Sequence, residues 1–294
     1  MKKIIAVLIS LLFVGSTFGI ASVLGASFNI DSKDFTFQNF STNYGHTDDA
    51  KAKDNSLGDA YDGAFRLFIN GRFDDDDHRY RSSTGDYTTE AGGREYVLDK
   101  VTLSGLSVSR KVYFPEDRNW VRYLEILYNP TGSPKTVDVE IYSNLGSDSG
   151  TQVVMTSSGD KIADKNDYWS VSDDENGYYS QKYDPSLAFI WDGPKGAKRV
   201  DYVSELYSGS GYLSYIWKVT VNPGQTVVIM HFGGLGMNNS DAMAIAQDLY
   251  NYNDSKMEYD LQEKDLIINW YPQREKSLPM AQILKILKGN KDKE

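Results

Sequence analysis

The side chains that most often do chemistry in enzymes are sparse in this sequence. It has no cysteine and 3 histidines, His46, His78 and His231, which lie far apart along the chain. A G-x-S-x-G turn, an H-E-x-x-H pair, a Walker loop and a G-x-G-x-x-G loop are all missing from the sequence. His231 lies in an apolar stretch, where an imidazole is more often a hydrogen-bonded core residue than a general base. We therefore predict no catalytic residue and keep His231 as a candidate ligand contact.

The densest group of charges is a run of four aspartates. Asp74, Asp75, Asp76 and Asp77 follow the turn signal Asn-Gly at 70–71. Neighbouring carboxylates repel one another, so the run is either solvated in a loop or neutralised by a hard cation with oxygen ligands. A second acidic stretch lies at 173–177, and neither stretch has EF-hand spacing. We expect solvated loops, with calcium as the alternative, and no other cofactor.

Aromatic residues are abundant and offer surfaces that suit sugars. The chain has 21 Tyr, 12 Phe and 5 Trp. Tyr and Trp beside carboxylates or amides can stack on a sugar ring and hydrogen-bond to its hydroxyls, because the ring face is apolar and the surroundings are polar. A β domain without disulfides also needs aromatic rings in its core, so each candidate has a structural alternative. The candidates are Tyr168, Trp169, Trp191 and Tyr212.

A polar, glycine-containing segment at 144–151 separates two predicted strands and is longer than a hairpin needs. Its two glycines permit positive φ, and its Asn, Ser and Asp side chains can bond to their own backbone. It is either a self-bonded connection or a polar binding loop. Asn144 and Asp148 are the ligand-binding candidates in the second interpretation.

The first 26 residues have the form of a secretory signal peptide. Two lysines precede an apolar run, and small residues follow it. Retention as a membrane anchor is the alternative, because the apolar stretch could extend toward the length of a membrane span. We expect cleavage and a secreted or cell-surface protein, with no membrane insertion beyond this segment.

Charge and composition exclude some partners. The formal net charge is -10, and such a surface repels nucleic acid and anionic lipid headgroups. An exported chain without cysteine gains no disulfide and depends on its core for stability. We expect a glycan or another envelope component as partner, and no nucleic acid.

Short β-branched and aromatic runs separated by turn residues predict an all-β fold. We expect strands near 35–40, 64–69, 95–103, 106–114, 120–128, 135–143, 152–157, 169–172, 187–191, 212–221 and 226–232. Period-two alternation near 137 and 219 indicates strands with one face on a core, so we predict a two-sheet, mainly antiparallel sandwich over 27–271. Short helices are expected from Ser240 and after Pro279, the latter in a helical or disordered extension over 272–294.

Two arginines border hydrophobic strands, where an unpaired charge would be costly. We predict that Arg110 and Arg122 are structural and bind carboxylates or loop carbonyls through their planar guanidinium groups.

Three motifs in order carry a resemblance to known proteins. R-x-V-Y-x-P begins at Arg110, R-Y-L-x-x-x-x-N begins at Arg122, and N-L-G-S-D begins at Asn144. Over about residues 61–232 the chain resembles uncharacterised secreted microbial β domains, and it is similar to the supersandwich domains of galactose-mutarotase-like proteins and of some glycoside hydrolases. The resemblance implies a supersandwich fold. A mutarotase would be expected to supply a His and a Glu in a pocket. These motifs do not show which residues of this sequence would form that pair.

Two hypotheses for the function follow. The first is a secreted or surface-associated, non-enzymatic β-sandwich that binds a glycan or has a structural role in the envelope. The alternative is a carbohydrate-active enzyme, such as an epimerase or a glycoside-acting protein, for which fold analogy alone gives little support.

Overall fold

The computed structural model describes residues 25–146, 150–174, 183–204 and 211–272. Nearly all of the regular structure in these ranges is β-strand, with one α-helix, α1 (Asn239–Tyr250). The strands are β1 (Ser27–Asp31), β2 (Phe35–Ser41), β3 (Asp49–Ala52), β4 (Asp59–Ala60), β5 (Arg66–Ile69), β6 (Tyr87–Glu90), β7 (Glu95–Leu98), β8 (Val101–Leu103), β9 (Leu106–Tyr113), β10 (Trp120–Tyr128), β11 (Lys135–Asn144), β12 (Gln152–Thr156), β13 (Trp169–Asp173), β14 (Ser186–Ile190), β15 (Tyr202–Val203), β16 (Tyr212–Val221) and β17 (Thr226–Gly236).

The strands form two packed layers. One is a 9-stranded sheet in the order β12-β13-β14-β17-β10-β9-β7-β6, with β8 paired to β9. The other contains two 4-stranded sheets, β1-β2-β3-β4 and β15-β16-β11-β5. Backbone hydrogen bonds from Tyr61 to Leu145 and from Ala64 to Thr47 connect these two smaller sheets. The strands pair antiparallel, so the predicted all-β antiparallel sandwich is confirmed.

Alternation along β11 and β16 gives the smaller layer two distinct faces. Val139 and Ile141 pair in register with Trp217 and Tyr215, and all four side chains are buried in the core between the layers. The residues between them point away from the core, as period-two geometry requires.

The large sheet is covered on both sides. Its central strands β10 and β17 are buried along almost their whole length. This fits their sequences, which are nearly continuous apolar runs. The outer side is covered by α1 and the segment that follows it, through buried residues such as Ala246, Leu249 and Trp270.

The helix begins close to the predicted position. Its N-cap is Asn238, whose side chain accepts a hydrogen bond from the Asp241 backbone N–H at 3.1 Å, rather than the predicted Ser240. The predicted segments after residue 272 and before residue 25 lie outside the described residues. Within the described ranges, no helix is both long and apolar enough to span a membrane.

A charged cluster lies at the centre of the core. The Arg110 guanidinium donates to both carboxylate oxygens of Glu125, at 2.9 and 2.6 Å, and to the backbone oxygens of Tyr44 and Phe65, at 3.0 and 2.8 Å. Arg110 and Glu125 are completely buried. Four hydrogen bonds therefore compensate the guanidinium for its loss of water.

The cluster continues through a histidine to the opposite layer. Nε2 of His231 lies 2.9 Å from Glu125 Oε1, and its Nδ1 lies 3.2 Å from the Tyr215 hydroxyl. Burial lowers the pKa of His231, which favours the neutral ring donating from Nε2 and accepting from Tyr215. Burial would raise the pKa of Glu125, but the charge of Arg110 and the hydrogen bond from His231 lower it below its ordinary value.

Arg122 has a similar role on the other side of the large sheet. Its guanidinium donates to Glu95 at 2.8 Å and to the backbone oxygens of Met257 and Tyr259, at 2.7 and 3.2 Å. Both predicted structural arginines thus bind a carboxylate and loop carbonyls, as expected.

We predict that Arg110→Ala will lower the free energy of unfolding by about 3–5 kcal/mol, because it leaves the buried Glu125 carboxylate without its cation. Urea unfolding followed by Trp fluorescence measures this. The matched control is Arg81→Ala, which removes an exposed arginine and should cost no more than about 0.5 kcal/mol. Equal losses for the two variants would contradict a central role for the cluster.

Candidate functional site

Three of the candidate ligand-binding residues are part of the core. Trp169 is buried under the helix layer, and Trp191 and His231 are buried between the two layers. The Trp191 indole N–H donates to the backbone oxygen of Asp167 at 2.8 Å. These side chains serve packing and hydrogen bonding in this structure and present no surface to a ligand.

Tyr168 is half-buried beside α1. The Arg199 guanidinium lies 3.5 Å above its ring centre, and the Tyr250 ring lies 4.9 Å away. One face of Tyr168 is therefore occupied by a cation of the protein itself, which leaves less of the ring for a sugar.

Asn144 is the last residue of β11, and its side chain accepts a hydrogen bond from the Gly146 backbone at 3.2 Å. This is the self-bonded arrangement expected of a structural connection. Asp148 lies outside the described residues. The choice between a connection and a binding loop at 144–151 therefore stays a prediction.

Tyr212, by contrast, belongs to an exposed aromatic surface. We call Phe73, Tyr142 and Tyr212 the aromatic platform. Phe73 and Tyr142 stack with ring centres 4.7 Å apart and planes at 12°, and Tyr212 lies 5.5 Å from Tyr142 and 6.3 Å from Phe73. Phe73 is 53% exposed and Tyr212 is 42% exposed. Adjacent exposed apolar rings are one mark of an interaction site.

The platform lies on the outer face of the β15-β16-β11-β5 sheet. We use "outer face" for the side chains of this sheet that point away from the core. The paired residues are Asp138 with Lys218, Glu140 with Ile216, and Tyr142 with Ser214, and Tyr202 of β15 pairs with Ile216. Directly paired residues in antiparallel strands share one side of the sheet, so these side chains form one continuous surface.

The loop after β5 brings Phe73 to this face. Asn70, with a φ of 59°, exchanges two hydrogen bonds of 2.9 Å with Asp138: its backbone N–H donates to the Asp138 carbonyl, and its side chain accepts from the Asp138 backbone. Positive φ is better tolerated by asparagine than by most residues. The loop returns to β5 through an isolated pairing of Arg79 with Phe68. Both ends of the loop are thus fixed to the sheet.

Arg72 lies beside the platform and between two carboxylates. Its guanidinium nitrogens lie 3.8 Å from Asp138 and 3.9 Å from Glu140, and it donates to the backbone oxygen of Gly71 at 3.1 Å. About half of the Arg72 side chain is exposed. This gives the face a hydrogen-bonding group next to its stacking surface.

Glu140 is buried beneath Arg72. One carboxylate oxygen accepts from the Ser214 hydroxyl at 2.8 Å, and the other has no hydrogen-bond partner among the described residues. Burial raises the pKa of Glu140, and the nearby carboxylates of Asp138 and Asp74 add to this, while Ser214 and Arg72 oppose it.

A depression of about 440 Å³ lies next to the platform on the same face. Ile216 lies in its apolar part, and charged side chains and the exposed ring of Tyr202 surround it. The lining residues are Arg72, Asp138, Asp201, Tyr202, Ile216 and Lys218.

The aspartate run forms the far part of the loop that carries Phe73. The Asp75 carboxylate accepts from His78 Nδ1 at 2.8 Å, and Asp76 lies 3.9 Å from Arg79. Each of the three histidines lies beside a carboxylate of its own, with His46 2.8 Å from Asp48. In the part of the chain that the structure describes, no three His, Asp or Glu side chains are placed to hold a metal ion.

Sequence reasoning found Tyr212 but missed Phe73, Tyr142, Arg72 and Tyr202. The alternation of Asp138, Glu140 and Tyr142 along β11 was the available signal, since it marks polar and aromatic side chains on one face of a strand. The pairing of β11 with β16, which brings Tyr142 to Tyr212, joins segments about 70 residues apart and is not encoded in any local pattern.

No protein-family model matches the chain, and no curated protein matches it. Several solved structures are similar in chain trace. A TPR-domain containing protein from Parabacteroides distasonis has a TM-score of 0.46 at 10% identity. The similarity covers 74% of this chain and 48% of the chain of that protein. This chain therefore spans about half the length of that protein.

Two further similar structures bear names from sugar chemistry. A protein from Klebsiella pneumoniae, provisionally assigned as an aldose 1-epimerase, has a TM-score of 0.45 at 10% identity, covering 85% of this chain and 86% of its own. A galactose mutarotase-like protein from Lactobacillus casei has a TM-score of 0.43 at 11% identity, covering 71% of this chain and 100% of its own. What this chain binds has to be inferred from its own side chains.

We predict that Glu140→Gln will raise the melting temperature at pH 8. Because the folded-state pKa of Glu140 is raised, the contribution of this one group to the stability of the wild type is fully present below its ordinary pKa and is lost as the pH rises through the folded-state pKa. The amide can still accept from Ser214 and carries no charge in this buried position, so we expect a gain of about 1 kcal/mol, or roughly 2–4 °C.

Melting curves from pH 4 to pH 8 check this, and the two proteins should converge toward pH 4. Glu116→Gln, at an exposed carboxylate, is the control and should not change the melting temperature. A lower melting temperature for Glu140→Gln at pH 8 would show instead that Arg72 makes the ionised form favourable.

We also predict that millimolar calcium will leave the melting temperature of the protein unchanged beyond ionic screening, which magnesium would mimic. Asp75 and Asp76 already lie near His78 and Arg79, which fits a solvated, internally paired loop. A rise of several degrees that calcium alone produces, and that Asp75→Asn together with Asp77→Asn removes, would instead establish a calcium site.

Proposed function

We propose that this protein is an exported, carbohydrate-binding β-sandwich that holds a glycan on the outer face of the β15-β16-β11-β5 sheet. The observation that carries the proposal is the aromatic platform, two of whose three nearly parallel rings are exposed beside paired charged groups.

A sugar ring has an apolar face of C–H groups and a rim of hydroxyls. Exposed Phe73 and Tyr212 offer flat apolar area to the first. Arg72, which precedes Phe73 in the chain, and Asp138, 3.8 Å from Arg72, offer a donor and an acceptor to the second. Because Phe73 is on a loop fixed at both ends, little side-chain and loop ordering is needed on binding, which favours affinity.

The arrangement favours binding over catalysis. The described pair that most resembles an acid–base unit, His231 with Glu125, is completely buried, and Glu125 is already committed to Arg110. On the outer face, Arg72 lies between Asp138 and Glu140, and Lys198 lies 2.6 Å from Asp201, so each of these carboxylates already faces a cation. The net charge of -10 makes nucleic acid and anionic lipid poor alternatives for this surface.

The test is a glycan array followed by calorimetry with the protein lacking residues 1–26. Tyr212→Ala and Phe73→Ala should each weaken binding of the glycans found by about 5- to 30-fold, since each removes about 1–2 kcal/mol of stacking. Tyr128→Ala removes a ring of equal exposure, 41%, from a different sheet and should have no effect.

Melting temperatures of all three variants should stay close to that of the wild type, because the rings are partly exposed. If the array shows no glycan bound, or if Tyr128→Ala weakens binding as much as Tyr212→Ala, the proposal is wrong.

A further inference from the structure

The outer face has a second stacking surface at some distance from the platform. Tyr202 is 55% exposed and forms one side of the depression. Its pairing partner Ile216 is four residues along β16 from Tyr212, on the same side of the strand. At about 3.3 Å per residue, the two positions are separated by roughly 13 Å along the strand, which is longer than one sugar ring.

Polar groups lie between these two aromatic positions. On β16, Ser214 lies between Tyr212 and Ile216, and Glu140 of β11 pairs with Ile216 and lies 3.9 Å from Arg72. A glycan lying along β16 would meet the aromatic platform first, then groups that hydrogen-bond to sugar hydroxyls, and then the ring of Tyr202.

The charges of the depression are balanced. Arg72 lies 3.8 Å from Asp138, and Lys198 lies 2.6 Å from Asp201, while Lys218 provides a further cation and Glu140 a further carboxyl beneath. Paired charges offer both donors and acceptors but no net field for an acidic group. The overall negative charge of the protein further disfavours a polyanionic chain.

We infer that the ligand of the outer face is an extended, uncharged oligosaccharide that lies along β16 and contacts both the aromatic platform and Tyr202. This inference rests on the proposed function and adds to it the length, direction and charge of the glycan.

The experiment measures affinity against chain length. Neutral homo-oligomers of glucose, mannose, galactose and N-acetylglucosamine, with one to six units, are titrated into the protein, with oligogalacturonates as the acidic comparison. Wild-type affinity for a binding series should increase with length until the chain reaches both aromatic positions, and then level off. Oligogalacturonates should bind more weakly than every neutral series that binds.

The variants separate the two stacking positions. Tyr202→Ala should lower the affinity for the longest oligomers by about tenfold, to that of the shorter ones. It should leave the affinity for the shortest oligomers that bind unchanged. Tyr202→Phe should bind all lengths like the wild type, because the ring is kept. Tyr212→Ala should lower the affinity for oligomers of every length, and Tyr128→Ala should change the affinity for none of them.

The failure of this inference differs from the failure of the proposed function. If Tyr212→Ala weakens binding while Tyr202→Ala has no effect at any length, if affinity does not increase with length, or if the acidic series binds best, the inference is wrong and a glycan site at the platform remains. If the wild type binds none of the oligomers, the inference is wrong, and if the array also shows no glycan bound, the proposed function is wrong too.

Discussion

The pairing of Arg110 with Glu125 is the constraint on which the rest of the structure depends. Two opposite charges with no solvent exposure are tolerated only where further hydrogen bonds replace the lost water. Here these come from the backbone of Tyr44 and Phe65 in the smaller layer and from His231 of β17. The cluster therefore connects the two layers at their centre, and the sheets cannot slide without leaving a buried charge unpaired.

This arrangement closes the interior of the sandwich to ligands. Large rings fill the space around the cluster: Tyr123 stacks on His231 with ring centres 5.0 Å apart, and Phe65 lies 4.9 Å from Tyr123. A Cβ on Gly233 would come within 2.0 Å of the Phe65 ring, so β17 has glycine where that ring approaches it. The polar groups available to a ligand are consequently those on the outside of the layers, and the outer face next to β16 combines them with exposed rings.

The sequence predicted the architecture better than the site, for a physical reason. Alternation and turn residues are local, so the long strands from β9 to β11 and β16 to β17 could be located closely. Short strands such as β1, β3 and β15 carry too few alternating residues to be recognised, and the predicted strand over 95–103 is divided into β7 and β8. Trp191 and Tyr212 were equal candidates by residue type, and only the three-dimensional structure shows that the first is buried and the second exposed.

The composition of the outer face is a consequence of the core, because β11 and β16 each have one side on it. A slip of one residue in their pairing would place Asp138 and Glu140 against the large sheet and turn Val139 and Ile141 to solvent. The cost of such a slip is large, so the register is fixed by the buried residues. That same register brings Tyr142 next to Tyr212 and Ile216 next to Tyr202. The proposed glycan surface is thus held in place by side chains that a ligand on this face would not touch.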